Sequence, residues 1–166
     1  MKINVQLDNG YLPDEYSKYC NETDKRAGQP IKSFPIVIQK IPTEAKFLGW
    51  SLIDYEAVPR TGFPFIHWLA SDVPITNNIA ADFSRQSRAP QGKNAWYSRF
   101  YAVDDSYVEN HYAGPVPPDK PHHYTLTVYA LKAKTNLKPG FFYNDFRTAI
   151  TQQQIEHAEF VIPARN

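Results

Sequence analysis

Two short segments of the chain carry the side chains whose types and spacing could do chemistry. The first segment contains Asp54, Glu56 and His67, and the second contains His122 and His123. Carboxylates close to imidazoles could bind a metal, hold an imidazolium charge, or serve as acid and base. If the strands that carry these segments pair, the five side chains would form a compact polar pocket.

The three histidines also have simpler explanations. His67 lies in an apolar run, and strand alternation predicts that it faces away from both Ile66 and Trp68. There it would be a core histidine bonded to a backbone carbonyl. Neighbouring strand residues point to opposite faces, so only one of His122 and His123 can enter a shared pocket. The other is expected to be a solvated surface residue.

The two acids are separated by one residue. If Asp54 is still extended, its carboxylate and that of Glu56 face the same side. The alternative is a solvated turn that ends at Pro59, since acids before proline are common in turns.

Several well-known signatures are missing from the sequence. It has no G-x-S-x-G elbow, no phosphate-binding glycine loop, no H-E-x-x-H and no C-x-x-C. We therefore expect no cofactor and no metal, and we assign no catalytic residue. Cys20 is the only cysteine, which rules out an intrachain disulfide and fits a reducing compartment.

The composition is that of an ordinary soluble domain. The chain has 166 residues, which predicts one domain over 1–166, and 42% of them are hydrophobic. Its 18 basic and 17 acidic residues give a net charge of +1 without a basic stripe, so no nucleic-acid partner is expected. The N-terminus has no signal-like apolar run, and no stretch is long enough to span a membrane. We expect a cytoplasmic protein without stable membrane insertion.

The chemistry-bearing segments must be positioned mainly by strands. The 14 prolines and 11 tyrosines favour a β-rich fold with stiff loops. Alternation and apolar runs predict strands at 2–7, 35–38 (buried), 45–53, 65–71 and 124–131. A closing strand is expected to place Ala158, Phe160 and Ile162 on one face.

Other parts of the chain are less regular. Residues 11–29 are predicted to be a surface loop, and residues 72–111 should contain short helices or strands, since long structureless loops are uncommon. One late helix, capped by Asn144 or Asp145, should cover Phe146, Ala149 and Ile150.

The order and spacing of these motifs resemble the phosphatidylethanolamine-binding protein family, which includes the Raf kinase inhibitor proteins and a large bacterial branch. That family has Asp-Pro-Asp-Ala-Pro, then Trp-His-His or Trp-His-Trp, then Gly-x-x-Pro-Pro, then His-Arg-Tyr. The corresponding residues here are Asp54-Tyr55-Glu56-Ala57-Val58-Pro59, Phe65-Ile66-His67-Trp68, Gly114-Pro115-Val116-Pro117-Pro118 and His122-His123-Tyr124.

The chain departs from the family pattern at a few positions. Tyr55 and Glu56 replace a proline and an aspartate, and Val58 is an additional residue. His123 replaces the usual arginine, and Gln153 stands where a histidine is often found. The stretch between residues 94 and 112 is longer than in typical bacterial members. These changes bear on ligand preference more than on fold.

The resemblance implies a mostly β fold: a large central antiparallel sheet, a smaller second sheet and a few flanking short helices. It also implies a surface pocket for phosphate or for a phosphoryl head group such as that of phosphatidylethanolamine. Carried over position by position, the pocket comprises Asp54, His67, Pro117, Pro118, His122 and Tyr124, with Glu56 in support. The implied function is a small, non-enzymatic binding protein, for which a regulatory role is open.

Elementary chemistry agrees with such a pocket. His67 and His122 could donate hydrogen bonds to a phosphate, and Tyr124 could add its hydroxyl. Asp54 could orient a histidine or favour its charged form, and the prolines would form a rigid wall. We therefore predict tighter phosphate binding at mildly acidic than at alkaline pH.

Two other functions remain open. One is a hydrolase or isomerase that uses His67 with Asp54 or Glu56 as a dyad. The other is a protein-interaction module similar to the kinase-inhibiting relatives. In that case Trp96, Tyr97, Phe100 and Tyr101 could supply an interface, including a homodimer contact.

Overall fold

The computed structural model describes residues 1–101 and 103–166. Its strands are β1 (Lys2–Asn4), β2 (Lys25–Arg26), β3 (Gln29–Pro30), β4 (Ile36–Gln39), β5 (Phe47–Asp54), β6 (Phe65–Pro74), β7 (Asn78–Ile79), β8 (His122–Leu131) and β9 (Gln154–Ala164). Its α-helices are α1 (Val58–Thr61), α2 (Phe83–Gln86), α3 (Ser106–Glu109) and α4 (Tyr143–Gln153). Three 3₁₀ helices lie at Asp14–Tyr16, Glu22–Asp24 and Ala95–Tyr97.

The strands form antiparallel sheets of different size. The largest has four strands in the order β6-β5-β8-β9, and the second has three in the order β1-β4-β7. A two-stranded ribbon joins β2 to β3. The predicted architecture, a large central sheet with a smaller second sheet and short helices, is confirmed.

Strand β5 is buried on both faces, which fixes the frame of the site. On one face Trp50 packs against Trp68 in the main core, at a ring-centroid distance of 4.9 Å. On the other face α4 covers the sheet with Phe146 and Ile150. A Cβ atom at Gly49 would lie only 3.1 Å from the Ala70 carbonyl oxygen and 3.3 Å from Ile150. Glycine therefore lets α4 pack close to the strand.

The long predicted strands are confirmed, with ends that differ by a few residues. Strand β1 ends at Asn4 rather than at residue 7. Strand β4 is not buried throughout, because it alternates and exposes Val37. Helix α4 begins at Tyr143 with Phe142 as its N-cap, so the predicted caps, Asn144 and Asp145, lie inside its first turn.

The two irregular segments are more structured than a loop. Residues 11–29 contain two of the 3₁₀ helices and β2, and they bury Leu12, Tyr16 and Cys20, so the prediction of a plain surface loop was wrong. Residues 72–111 contain β7, α2 and α3, as predicted. Within this second segment, Ala102 lies outside the described residues.

Asn94 closes the base of a long loop, residues 94–111, which contains α3 and is called the excursion below. Its buried side-chain amide donates hydrogen bonds to the carbonyl oxygens of Val108 and His111, the latter at 2.9 Å. Its side-chain oxygen accepts from the backbone N–H of Trp96 at 3.0 Å. One side chain thus ties the beginning of the excursion to its end.

None of the helices in residues 1–101 and 103–166 is both long enough and apolar enough to cross a bilayer.

Candidate functional site

The pairing register of three strands brings the polar side chains together. Asp54, the last residue of β5, lies opposite Tyr124 of β8 and Phe65 of β6. His122 is two residues from Tyr124, so it faces the same side of the sheet. These residues therefore meet at one end of the central sheet, as residues near strand ends often do.

A β-bulge places His67 beside them. Leu52 pairs with Trp68 and Ile53 pairs with Ile66, which leaves His67 as the extra residue of β6. The imidazole contacts Phe65 and Tyr124, at ring-centroid distances of 4.9 and 5.0 Å. The expectation that alternation separates His67 from Trp68 was wrong, because a bulge interrupts the alternation and redirects the side chain.

Asp54 organises the site through both of its carboxylate oxygens. One oxygen accepts from the backbone N–H groups of Glu56, at 2.8 Å, and Ala57, at 3.1 Å. The other accepts from Nδ1 of His122 at 2.7 Å. The first pair of bonds turns the chain out of β5, so Glu56 leaves the extended conformation that would have put it on the same face.

His122 is held between two carboxylates. Besides its bond to Asp54, its Nε2 lies 3.1 Å from Oδ1 of Asp119. Asp54 and His122 are each 3% exposed, whereas the side chain of Asp119 is 61% exposed. Carboxylates only accept hydrogen bonds, so each ring nitrogen of His122 faces an acceptor oxygen. Burial tends to raise the pKa of Asp119, but the hydrogen bond with His122 acts in the opposite direction, and the pKa is lowered overall.

The proline-rich loop after Gly114 forms one wall. A Cβ atom at Gly114 would lie 2.5 Å from the Tyr16 carbonyl oxygen, so only glycine fits there. Val116 and Pro118 line the cavity, and Pro117 does not. Pro117 is buried instead, and its carbonyl accepts from the Lys18 ammonium at 3.0 Å.

These elements enclose a cavity of about 250 Å³. Asp54, His67, His122 and Tyr124 form its polar side, together with Arg60 and Thr61 from α1. The rest of the lining is largely apolar and comprises Ala57, Phe65, Trp96, Tyr101, Val116 and Pro118. The site therefore combines charged groups with an aromatic wall.

Three aromatic rings of that wall pack against one another. Phe65 meets Trp96 and Tyr101 edge to face, at centroid distances of 5.2 and 5.5 Å. Trp96 and Tyr101 belong to the excursion that Asn94 closes, so the long segment supplies part of the cavity. Two further aromatic residues of this segment, Tyr97 and Phe100, are exposed.

Glu56 and His123 form a second pair outside the cavity. Glu56 accepts from the backbone N–H of His123 at 3.0 Å, and its carboxylate lies 3.4 Å from Nδ1 of the ring. Burial tends to raise the pKa of Glu56, but the hydrogen bonds from His123 act in the opposite direction, and the pKa is lowered overall. The structure thus separates Glu56 from the predicted pocket residues, and His123 is the solvated member of the histidine pair.

Burial shifts the pKa values of two rings that line the cavity, those of His67 and Tyr124. It lowers the pKa of His67, against the opposing influence of the Ala113 carbonyl and the Asp54 charge. Burial and the nearby Asp54 carboxylate raise the pKa of Tyr124, so its phenol stays protonated.

The dyad expected for an enzyme is arranged differently. His67 is bonded through Nδ1 to the Ala113 carbonyl oxygen at 2.7 Å, and Glu56 is bonded to His123. Asp54 contacts His122 instead. Cys20 is buried away from this lining, which has Thr61, Tyr101 and Tyr124 as its hydroxyl-bearing residues.

In residues 1–101 and 103–166, no group of three or more His, Cys, Asp or Glu side chains is arranged to hold a metal ion.

The reasoning from sequence missed several residues of the cavity lining and also Asp119, which lies beside the cavity against His122. Arg60, Asp119, Trp96 and Tyr101 all sit in loops or short helices, whose approach to a strand end depends on tertiary packing. The aromatic residues stood out in the sequence, but as an interface. Only the proximity of Asp119 to His122, three residues apart, could have been anticipated.

The sequence comparisons agree over nearly the whole chain. The sequence model of the family described as phosphatidylethanolamine-binding protein matches residues 2–164. An uncharacterized protein of Bacillus subtilis (strain 168), YxkA, is 43% identical over 160 residues. The alignment covers 95% of this chain and 92% of the Bacillus protein.

Two solved structures share the fold. A putative phosphatidylethanolamine-binding protein homologue from Chlamydia trachomatis, CT736, is similar at a TM-score of 0.76 and 24% identity, covering 99% of this chain and 96% of its own. YbcL of E. coli, described as a new member of the mammalian family, has a TM-score of 0.73 and 19% identity, covering 99% and 98%. At these identities the likeness concerns the fold.

Proposed function

Because the chain belongs to the phosphatidylethanolamine-binding protein family, we propose that it is a small, non-enzymatic binding protein for phosphate or a phosphoryl head group. The family name describes such a ligand, and family membership supports the broader class of small binding proteins. The cavity formed at the ends of β5, β6 and β8 is the proposed binding site.

One observation carries this proposal. His122 holds an anionic oxygen of Asp119 at 3.1 Å from Nε2, at the edge of the cavity. Asp119 is largely exposed and comes from a loop, so its carboxylate can be exchanged for the oxygen of a ligand. A phosphoryl oxygen, like that carboxylate oxygen, carries negative charge and accepts hydrogen bonds from charged donors.

The size and charge of the cavity support an organic phosphate. A water molecule has about 30 Å³ of liquid volume, so about 250 Å³ exceeds what a bare phosphate needs. Arg60 is one of the lining residues, and none of the ion pairs among the described residues involves it. It supplies a permanent positive charge for an anion.

An NMR titration of the wild-type protein tests the proposal. Inorganic phosphate and phosphorylethanolamine are added separately while amide and histidine-ring signals are followed. We expect saturable shifts at Asp54, His67 and His122, because these residues share the cavity. The same titration of His67→Ala should lose them.

His157→Ala is the matched control, since His157 is an exposed histidine on β9 that does not line the cavity. It should bind both compounds as the wild type does. Wild-type spectra that stay unchanged with both ligands would mean that this cavity does not bind phosphoryl groups. That result does not depend on whether His67→Ala folds.

The Asp54–His122 contact favours a hydrolase or isomerase as the second candidate, because a carboxylate that orients a histidine is common in catalytic sites. The contact between Nε2 and Asp119 argues against it, since that nitrogen would have to act as base. Prolonged ³¹P NMR of the samples with phosphorylethanolamine should show no ester cleavage. Enzyme-dependent release of inorganic phosphate would favour the enzyme instead.

The exposed aromatic side chains of Tyr97 and Phe100 favour the protein-interaction candidate, including a homodimer. Phe100 is 69% exposed, which is unusual for a phenylalanine. Sedimentation velocity over a concentration series, compared between the wild type and Phe100→Ser, would detect self-association through this surface.

A further inference from the structure

The hydrogen bond of His67 fixes which of its ring nitrogens carries the proton. Nδ1 lies 2.7 Å from the carbonyl oxygen of Ala113. A carbonyl oxygen can only accept, so Nδ1 must be the donor. In the neutral ring, Nε2 then has a free lone pair and can only accept a hydrogen bond.

The surroundings keep this ring neutral. His67 is 5% exposed, and burial lowers its pKa despite the favourable influence of the Ala113 carbonyl and of Asp54. His67 lines the cavity, and Nε2 has no hydrogen-bond partner among residues 1–101 and 103–166. It is therefore an acceptor that no group of the described residues satisfies.

Among the described residues, the other ionisable groups around the cavity do not donate a hydrogen bond to Nε2 of His67. Asp54 of β5 accepts from His122 of β8, and the second N–H of His122 is directed to Asp119. Arg60 of α1 lines the cavity but has no contact with His67 among the hydrogen bonds described. Tyr124 and Tyr101 complete the set, and the phenol of Tyr124 lies close to Asp54.

We propose that this site, if it is the phosphoryl site proposed above, selects phosphomonoesters over phosphodiesters because His67 requires a ligand oxygen that carries a hydrogen. The P–OH group of a monoester monoanion donates to Nε2, and its remaining oxygens accept from cationic groups such as Arg60. No covalent bond forms or breaks.

A phosphodiester cannot make this contact. Both of its bridging oxygens are substituted, so its free oxygens carry no hydrogen and would face the lone pair of Nε2. A site that is built to satisfy a buried polar group discriminates strongly against an analogue that leaves the group unpaired. We expect at least a tenfold preference for the monoester.

The proposal also predicts proton uptake. The second pKa of a phosphomonoester is about 6, so at about pH 7.5 the free ligand is mostly a dianion. Binding as the monoanion then takes one proton from solution onto the phosphate, which donates it in the hydrogen bond to Nε2. Linkage requires the affinity to fall roughly tenfold for each pH unit above that pKa.

Isothermal titration calorimetry with methyl phosphate and dimethyl phosphate tests both features at about pH 7.5. Two buffers with different ionisation enthalpies report the number of protons taken up. We expect methyl phosphate to bind at least tenfold more tightly, with an uptake close to one proton. Glycerophosphorylethanolamine, a diester that carries the lipid head group, should bind as weakly as dimethyl phosphate. Within the proposed function the ligand is therefore a soluble phosphomonoester such as phosphorylethanolamine rather than the intact lipid.

Two variants separate this role of His67 from general anion attraction. His67→Gln removes the fixed acceptor, so the preference for the monoester and the proton uptake should both decrease. Arg60→Gln should weaken both ligands while keeping their affinity ratio and the proton uptake. Arg60→Gln and the wild type keep the test valid if His67→Gln does not fold.

The outcomes distinguish the two proposals. Equal binding of monoester and diester, or monoester binding without proton uptake, would overturn the selectivity while leaving the phosphoryl site intact. Absence of binding by all three compounds would overturn the phosphoryl site, and the selectivity with it.

Discussion

The chain contains two carboxylate–histidine pairs that are almost adjacent, yet they differ in nearly every property. Asp54 and His122 lie 2.7 Å apart and are each 3% exposed. Glu56 and His123, two and one positions further along, lie 3.4 Å apart at the surface. Strand parity and one turn decide which pair enters the cavity, so similar residue types do not imply similar roles.

The difference in burial predicts a difference in energetic weight. A buried pair is costly to break because the remaining group loses its partner and its hydration, whereas an exposed pair is screened by water. The inner pair should therefore govern stability and binding, and the outer pair should be dispensable for both.

The largest expected effect is on stability. Asp54→Ala removes the acceptor of His122 and of two backbone N–H groups, so it should lower the free energy of unfolding by about 3–5 kcal/mol. Glu56→Ala should lower it by less than about 1 kcal/mol. Urea denaturation monitored by tryptophan fluorescence measures both, and comparable losses would abolish the distinction between the pairs.

The next effect is on phosphate affinity. His122→Ala removes a charge-assisted donor from the proposed site and should weaken phosphate binding at least tenfold, since such bonds contribute about 1.5–3 kcal/mol. His123→Ala should change the affinity by less than about twofold, because that ring is exposed and outside the cavity. The NMR titration described above gives both dissociation constants. An equal loss in His123→Ala would place the anion on the outer pair.

The smallest expected effect is a gain. Asp119→Asn removes the carboxylate that competes with a ligand for His122 and should strengthen phosphate binding about fivefold, equivalent to about 1 kcal/mol at such distances in water. Lys120→Gln, at the neighbouring exposed position, is the matched control and should not strengthen binding. Weaker binding in Asp119→Asn would mean that Asp119 positions the His122 ring for the ligand more than it competes with the ligand.

The sequence predicted much of the frame but only part of the site. A period-2 pattern predicted β8, and apolar runs predicted β5 and β6, because the buried residues of strands leave an apolar signal in the sequence. Strand parity also separated His122 from His123. These features depend on local spacing, which is visible in the sequence.

Other features depend on long-range pairing and could not be derived in the same way. The bulge at His67 exists only because β5 pairs with β6 in a particular register. Glu56 was expected beside Asp54, but the hydrogen bonds of Asp54 to the turn redirect the chain. Arg60 and Trp96 reach the cavity through tertiary packing, for which local spacing carries no signal.

The hydrogen bonds of the Asn94 side chain make the excursion a separable part of the fold. Since one amide joins the two ends of the excursion, the residues between them can change in length and type while the stem keeps its shape. Trp96 and Tyr101 belong to the excursion, whereas the charged groups of the cavity come largely from the strands of the central sheet. Natural divergence or laboratory grafting of the excursion can therefore change which ligands the aromatic wall accepts without changing those charged groups.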